Sequence, residues 1–377
     1  MASKIFNVGV VGYGMSANVF HIPFILSTPG LILYAVVQRH PTSDSDAQND
    51  HPGIKSYRSV EDLTQDPAVH VVVITTTPEV HYAQTKLGLE AGKHVLLEKP
   101  ATPTAEELED LIGIAKKHNV KLSIYQSNPD NQNRKATLLM DELDRRYDTD
   151  FLTVQKLIKT NSLGRITDFE SHFDRYVPAA PSTWKSKNIA GGGAIYDLGS
   201  HLLDQIVNLF GLPTAVTAFI GTQRTKENNP TDYPEYFTVI CHYPNGMSAT
   251  AKGTCISPET AQLRYWIRGE KGSFKKYHVD VQEPQLRYRG MKPTDANYAQ
   301  EPKENYGVVT TAEEDGSFRK EVVPTADDEN YRTFYAGFAK VLTGEGEVPV
   351  PPEGVVNVIR LIEVCKESAK LRKTIEL

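Results

Sequence analysis

Two proton-carrying side chains, Asp197 and His201, stand four positions apart in the run Gly191-Gly192-Gly193-Ala194-Ile195-Tyr196-Asp197-Leu198-Gly199-Ser200-His201. On a helix that spacing puts them on one face, one turn apart, where a carboxylate and an imidazole make a hydrogen-bonded acid/base pair. The apolar residues Ile195, Leu198, Leu202, Ile206 and Leu209 recur at intervals of three and four, so the segment from Ile195 reads as an amphipathic helix ended by Gly211. Asp197, His201 and Asp204 or Gln205 line a different stripe. Taken alone, such a pair is commonly the polar, water-facing side of a helix that buries Leu and Ile. Its meaning depends on what the rest of the chain would bring to it.

The N-terminal third supplies a reactant. The β-branched apolar run Phe6–Val11 is followed at once by Gly12-Tyr13-Gly14-Met15-Ser16-Ala17, a match to G-x-G-x-x-G/A, and a second apolar strand, Leu31–Val37, follows at the distance of a βαβ unit. In that setting Gly12 allows a tight turn, Gly14 lets the backbone approach a pyrophosphate, and Ala17 permits close helix packing. Met15 and Ser16 lie at the start of the helix, whose amides bind the anion. Further strands at 69–74, 94–97 and 120–125, separated by helical segments at 78–91 and 104–118, make a doubly wound parallel sheet.

The end of the second strand bears on cofactor choice. An acidic residue there would bind the ribose hydroxyls of NAD, whereas this chain has Gln38-Arg39-His40, and Arg39 can pair with a 2′-phosphate. The expected cofactor is therefore NADP(H), with NAD(H) as the alternative. Another strand ends in Leu97-Glu98-Lys99-Pro100. Because ligands of open α/β sheets bind outside the carboxyl ends of the strands, Lys99 stands where the reacting end of a dinucleotide is expected, able to exchange a proton with a substrate hydroxyl.

Composition bounds the remaining classes. The chain has 377 residues, 40% hydrophobic and 23% charged, enough for two domains with proper cores. A formal net charge of −6 gives no basic footprint for nucleic acid. Cys241, Cys255 and Cys365 are too few and too scattered for a disulfide framework or a zinc cluster, which fits a reducing compartment and no metal. No apolar stretch approaches the roughly 20 residues of a membrane helix, and Met1-Ala2-Ser3-Lys4 runs into a short strand without signal-peptide features, so a cytoplasmic protein is expected.

In their order, these motifs resemble those of the glucose–fructose oxidoreductase/inositol dehydrogenase (Gfo/Idh/MocA) family over nearly the whole chain: the Gly12 to Ala17 turn, Thr76-Thr77-Pro78 with His81, Glu98-Lys99-Pro100, and Gly191-Gly192-Gly193 through Asp197, Gly199 and His201. The resemblance implies an α/β protein: a Rossmann doubly wound parallel sheet, then an α/β domain with a large open, mainly antiparallel sheet that family members use for oligomer contacts. It implies that Lys99, Asp197 and His201 are the catalytic set, that Thr76, Thr77, Pro78, His81, Glu98 and Lys99 complete the cofactor site, and that the substrate is a sugar, polyol or related carbonyl compound. A homodimer or homotetramer is expected. The chain looks most like a subgroup of NADP-dependent members from enterobacteria and fungi, marked by Phe20-His21-x-Pro23 and Tyr147-Asp148-x-Asp150-Phe151.

The expected division is a dinucleotide-binding domain at 1–126, an atypical insert at 127–144, a substrate and oligomerisation domain at 145–353, and a C-terminal helix at 354–377. Strand-like runs at 166–173, 214–222, 236–242, 248–254, 262–269 and 272–277, joined by short turns, favour antiparallel pairing, and 328–342 and 352–371 read as helices. Arg175, Tyr176 and Trp184 precede the glycine run and are candidate substrate contacts. Subgroup members pass from Tyr125-Gln126 almost directly into an Asn-Arg-Arg-Tyr-Asp-like segment, whereas here roughly 17 extra residues intervene, either a surface loop with a short helix or a retained intron, since an AGT serine codon followed by an asparagine codon contains GTAA. The function expected is hydride transfer between a nicotinamide and a CH–OH/C=O carbon. The alternative is a non-catalytic NADP-sensing regulator on the same fold, which could lose the proton-transfer residues; all three are present here.

Overall fold

Four apolar runs and two more polar ones build the first sheet: β1 (Phe6–Val11), β2 (Leu31–Val37), β3 (Lys55–Tyr57), β4 (Val71–Ile74), β5 (His94–Glu98) and β6 (Leu122–Tyr125). All pair in parallel, in the order β3-β2-β1-β4-β5-β6. Every residue of β4 and β6 is buried, as expected of strands covered on both faces. The order reverses between β1 and β4, and a crevice opens outside the carboxyl ends at such a switch point. β3 has no counterpart in the sequence reading because Lys-Ser-Tyr at a sheet edge carries no apolar run.

The computed structural model describes residues 4–125, 144–181, 186, 187 and 189–377. Of the 127–144 insert only Asp144, opening the 3-10 turn Asp144–Arg146, is described, and Trp184 also lies outside the described residues. The first of two compact units comprises Met1–Asp144 with two later segments, Gln282–Tyr298 and Glu329–Val356. Those segments pack aromatic rings on the helix after the glycine turn: Phe24 stacks on Tyr335 at 5.6 Å and meets Tyr298 and Tyr331 edge-on or tilted at 6.3 and 6.4 Å. A division read along the chain in order would assign both to the second domain.

The second unit contains a nine-stranded sheet: β7 (Ile166–His172), β8 (Ala215–Gly221), β9 (Tyr236–His242), β10 (Ser248–Thr254), β11 (Leu263–Gly269), β12 (Gly272–Tyr277), β13 (Gly307–Ala312), β14 (Phe318–Val323) and β15 (Ile375–Glu376). Its order is β14-β13-β12-β11-β7-β10-β9-β8-β15, antiparallel except between β7 and β10. Alternation is clear on β9, where Phe237, Val239 and Cys241 face the core. That core includes Phe151 and Val154 of the helix Thr149–Lys159, Leu202 and Ile206 of the helix Ser200–Phe210, and Leu361 and Ile362 near the C-terminus. β14 is exposed at nearly every position, so it lacks the alternation by which a strand is recognised. No helix among the described residues is long and apolar enough to cross a membrane.

Candidate active site

The dinucleotide turn forms where Gly12 adopts φ +101°, a conformation that L side chains rarely take, and a Cβ there would lie 2.8 Å from the Thr75 hydroxyl. Gly14, by contrast, would place a Cβ in open space, so its backbone can be approached from outside. Ala17 is fully buried and starts a π-helical turn, Ala17–His21, that continues as the α-helix Ile22–Ser27. Single π turns recur at functional sites. A bare glycine cradle at the carboxyl end of β1, next to the switch point, fits the pyrophosphate of a nicotinamide dinucleotide. Gly12, Gly14, Met15, Ser16 and Ala17 would hold it.

At the exit of β5, Glu98 is a buried carboxylate with several donors. Its Oε1 accepts from Ser16 Oγ at 2.5 Å and lies 3.1 Å from His21 Nε2, and its Oε2 accepts from the Lys99 amide at 2.7 Å. Burial works to raise its pKa, but His21, Lys99 and Ser16 outweigh burial and hold it down at about 2. Lys99 itself is half-buried, and its peptide bond to Pro100 is cis. His81 is fully buried, with Nδ1 2.9 Å from the Pro100 carbonyl and Nε2 3.1 Å from the Thr76 carbonyl, so it braces the exits of β4 and β5 against each other. Burial pushes its pKa down. Thr77 precedes the helix Pro78–Glu90, with Pro78 in the first turn, while the Thr76 hydroxyl donates to Gln84.

At the exit of β2, Arg39 is exposed. The buried Gln38 side chain does not face outward: its amide donates to the Ser45 carbonyl and accepts from the Ala47 amide, bracing the loop that follows. The sequence reading missed Arg58, which donates to the Gln38 carbonyl at 3.2 Å and to Ser56 Oγ at 2.6 Å. Parallel pairing of Val37 with Tyr57 brings it there. Only that long-range register, not a local motif, could have indicated it.

In the second unit the glycine run makes a tight entry to a helix. Gly191 and Gly193 have φ +71° and +87°, and the Gly193 carbonyl accepts from the Asp197 amide. The first turn, Ile195–Gly199, is π-helical, and the α-helix runs from Ser200 to Phe210 before Gly211. Gly199 allows close packing, since a Cβ there would sit 2.8 Å from the end of the Ile195 side chain and 3.3 Å from the Phe237 ring. Asp197 is partly exposed, and the Arg175 guanidinium lies 3.8 Å from its Oδ2. His201 is buried.

From His201 onward the polar stripe does not face water. Arg146 binds Asp204 in a two-point contact at 3.1 and 3.0 Å, and Gln205 donates to the Arg145 carbonyl and accepts from Tyr265 at 3.0 Å. Arg264 donates to Asp150 Oδ2 at 3.0 Å. Burial raises the Asp204 pKa, with Arg146 opposing, and raises that of Asp148 well above the usual range. Asp148 and Asp150 of the subgroup motif therefore belong to a buried ionic network beneath the turn that carries His201. Three guanidiniums, of Arg145, Arg175 and Arg264, lie 5.0, 5.3 and 5.8 Å from the Phe173 ring. Tyr176 is exposed and bridges to Ile256. Lys99 thus belongs to the first unit, and Asp197, His201, Arg175 and Tyr176 to the second.

Residues 6–126 match the profile of an oxidoreductase family's NAD-binding Rossmann fold, and residues 155–377 that of its C-terminal alpha/beta domain. The scyllo-inositol 2-dehydrogenase (NADP(+)) of Bacillus subtilis is 37% identical over 371 residues, which cover 98% of this chain and 95% of that protein. An uncharacterised oxidoreductase of Schizosaccharomyces pombe is 36% identical over 382 residues, 98% of each. A solved Bacillus subtilis protein assigned as an oxidoreductase superposes with a TM-score of 0.88 at 35% identity, over 100% of this chain and 99% of that one. With the glycine turn on a six-stranded parallel sheet and a mainly antiparallel sheet in the second unit, these matches make the chain a member of the Gfo/Idh/MocA oxidoreductase family, with a dinucleotide-binding Rossmann domain.

Proposed function

We propose that the protein is an NADP(H)-dependent oxidoreductase that interconverts a hydroxyl and a carbonyl on a sugar, polyol or related small compound. The observation that carries this reading is the placement of Lys99 at a strand exit tied through Glu98 to the dinucleotide turn, in a chain 37% identical over its length to an NADP-dependent inositol dehydrogenase. A bound nicotinamide dinucleotide would supply the hydride chemistry, its oxidised form as acceptor and its reduced form as donor. Lys99 and His201 hold and pass the proton of the substrate hydroxyl, either of them serving as the final carrier, while Asp197 orients one of the two by accepting a hydrogen bond. Arg175, beside Asp197, and Tyr176 contact substrate oxygens. Arg39, with Arg58 just past the end of β3 and bonded to the Gln38 carbonyl, supplies the positive charge that favours a 2′-phosphate over a bare ribose hydroxyl.

The test is a cofactor-linked assay with NADP(H) and NAD(H) against a panel of sugars, inositols, aldehydes and ketones. Turnover of at least one polyol or its keto form, faster with the phosphorylated cofactor, is expected. Tight NADPH binding without turnover of any compound would instead favour a cofactor-sensing regulator.

A further inference from the structure

The hydrogen bonds around His21 extend beyond the dinucleotide turn and beyond β5. His21 closes the π turn Ala17–His21 and is fully buried, and both of its ring nitrogens are engaged. Nδ1 lies 2.6 Å from the Tyr335 hydroxyl and Nε2 3.1 Å from Glu98 Oε1. An ionised carboxylate only accepts, so Nε2 carries the hydrogen toward Glu98 and, in the neutral ring, the Tyr335 hydroxyl donates to Nδ1. The chain hydroxyl–imidazole–carboxylate then ends on Ser16 Oγ in the dinucleotide turn and on the main-chain amide of Lys99. The wall around it is aromatic. His21 stacks at a tilt on Tyr125 at 4.6 Å, Tyr125 meets Phe334 edge-on at 5.2 Å, and Tyr335 lies flat on Phe24. In such a dry setting a lost donor leaves its acceptor undersatisfied, Glu98 when the His21 ring is replaced and His21 Nδ1 when the Tyr335 hydroxyl is removed, and the imidazole and the loop it holds then shift to find another partner.

We propose that His21 and Tyr335 are positioning residues for Lys99: acting through the Glu98 carboxylate, they hold the dinucleotide turn and the Lys99 main chain as one rigid piece, so that the lysine amine keeps a fixed place beside the cofactor. The assignment of a reactive role to Lys99 rests on the function proposed above; the clamp itself does not. Packing alone would need only a ring of the right size at each position. What the clamp adds is the pair of polar atoms, and these can be removed or restored with little change in shape.

The test uses the full-length protein and three variants. Tyr335→Phe removes only the hydroxyl, His21→Leu removes both nitrogens, and His21→Gln returns an amide N–H near the position of Nε2. Two quantities are followed: hydrogen exchange of the Lys99 amide, and kcat, KM and NADPH Kd with a turned-over substrate. In Tyr335→Phe and His21→Leu, Lys99 amide exchange accelerates about tenfold or more, and kcat falls by a similar factor while KM and Kd stay within about threefold. His21→Gln restores most of both. Unchanged exchange at Lys99 in Tyr335→Phe, with only a lower melting temperature, overturns the clamp and leaves a packing role. If the wild-type protein turns over nothing, the function reading fails and the exchange experiment still decides the clamp. If His21→Leu does not fold, the near-isosteric Tyr335→Phe carries the test.

Discussion

Glu98 shows why a three-letter motif such as Glu-Lys-Pro is only half readable. Its position at a strand end follows from the apolar run before it, but its partners Ser16 and His21 are 82 and 77 residues away. Gln38 is the converse case: a residue at the exit of β2 whose side chain is turned into the loop at Ser45 and Ala47, with Arg39 exposed beside it and Arg58 on its carbonyl. Arg39→Ala should weaken NADPH binding by about tenfold or more, from loss of a charge-assisted contact of roughly 1.5–3 kcal/mol, and leave NADH binding nearly unchanged. Equal Kd values for NADPH and NADH in the wild-type protein would refute the preference. Lys99→Ala and His201→Ala should each lower turnover about 10²-fold with NADPH affinity kept within a few-fold, as measured by steady-state kinetics beside direct titration. Near-normal turnover in both would remove them from the catalytic set.

Two elements of the protein begin in the same unusual way. The helix after the dinucleotide turn and the helix after the glycine run both open with a π turn, Ala17–His21 and Ile195–Gly199, and each π turn leads to a buried histidine, His21 and His201. Apolar spacing identifies the second helix and its end at Gly211, yet it cannot distinguish a π turn from an α turn, because one extra residue in a single turn barely changes the hydrophobic period. Nor can it tell a wet polar stripe from a buried one. Asp204 and Gln205 are satisfied by Arg145, Arg146 and Tyr265, contributed by segments about 60 residues away in either direction. Removing one member of a buried ion pair strands the other, so Arg146→Met should cost about 3–5 kcal/mol in denaturant unfolding. The double variant Arg146→Met/Asp204→Leu should recover most of that loss. A single variant as stable as wild type would mean that Asp204 finds another partner or a proton at no cost.

Over the whole molecule, titration of a few buried groups shapes stability against pH. Burial, with nearby Lys121, Lys4 and His70, lowers His94 from 6.5 to about 4, so its contribution is lost as pH falls through that window. Burial raises Glu301 from 4.5 to about 7 despite Lys276, so its contribution is lost as pH rises through nearly the same window. Between pH 4.5 and 6.5 these two groups therefore work in opposite directions. Glu98 is lowered from 4.5 to about 2, so about 3 kcal/mol present above pH 4.5 is lost as pH falls toward 2. Unfolding at a series of pH values should therefore show a steep acid limb below pH 4.5. Between pH 4.5 and 6.5, stability of Glu301→Gln should fall more toward acid than that of the wild-type protein, and an unchanged slope in that variant would sink the account. The parallel sheet, the dinucleotide turn, the Lys99 strand exit, the Asp197–His201 helix and the antiparallel runs are legible along the chain, because each is written in residues close together, as periodicity, a glycine or a cap. That Tyr335, 314 residues from His21, completes the first unit, that Arg58 stands beside Gln38, and that the polar stripe after His201 is buried on arginines emerges only once the chain is folded. Those pairings arise from chain crossovers and sheet register, which no local window of residue types encodes.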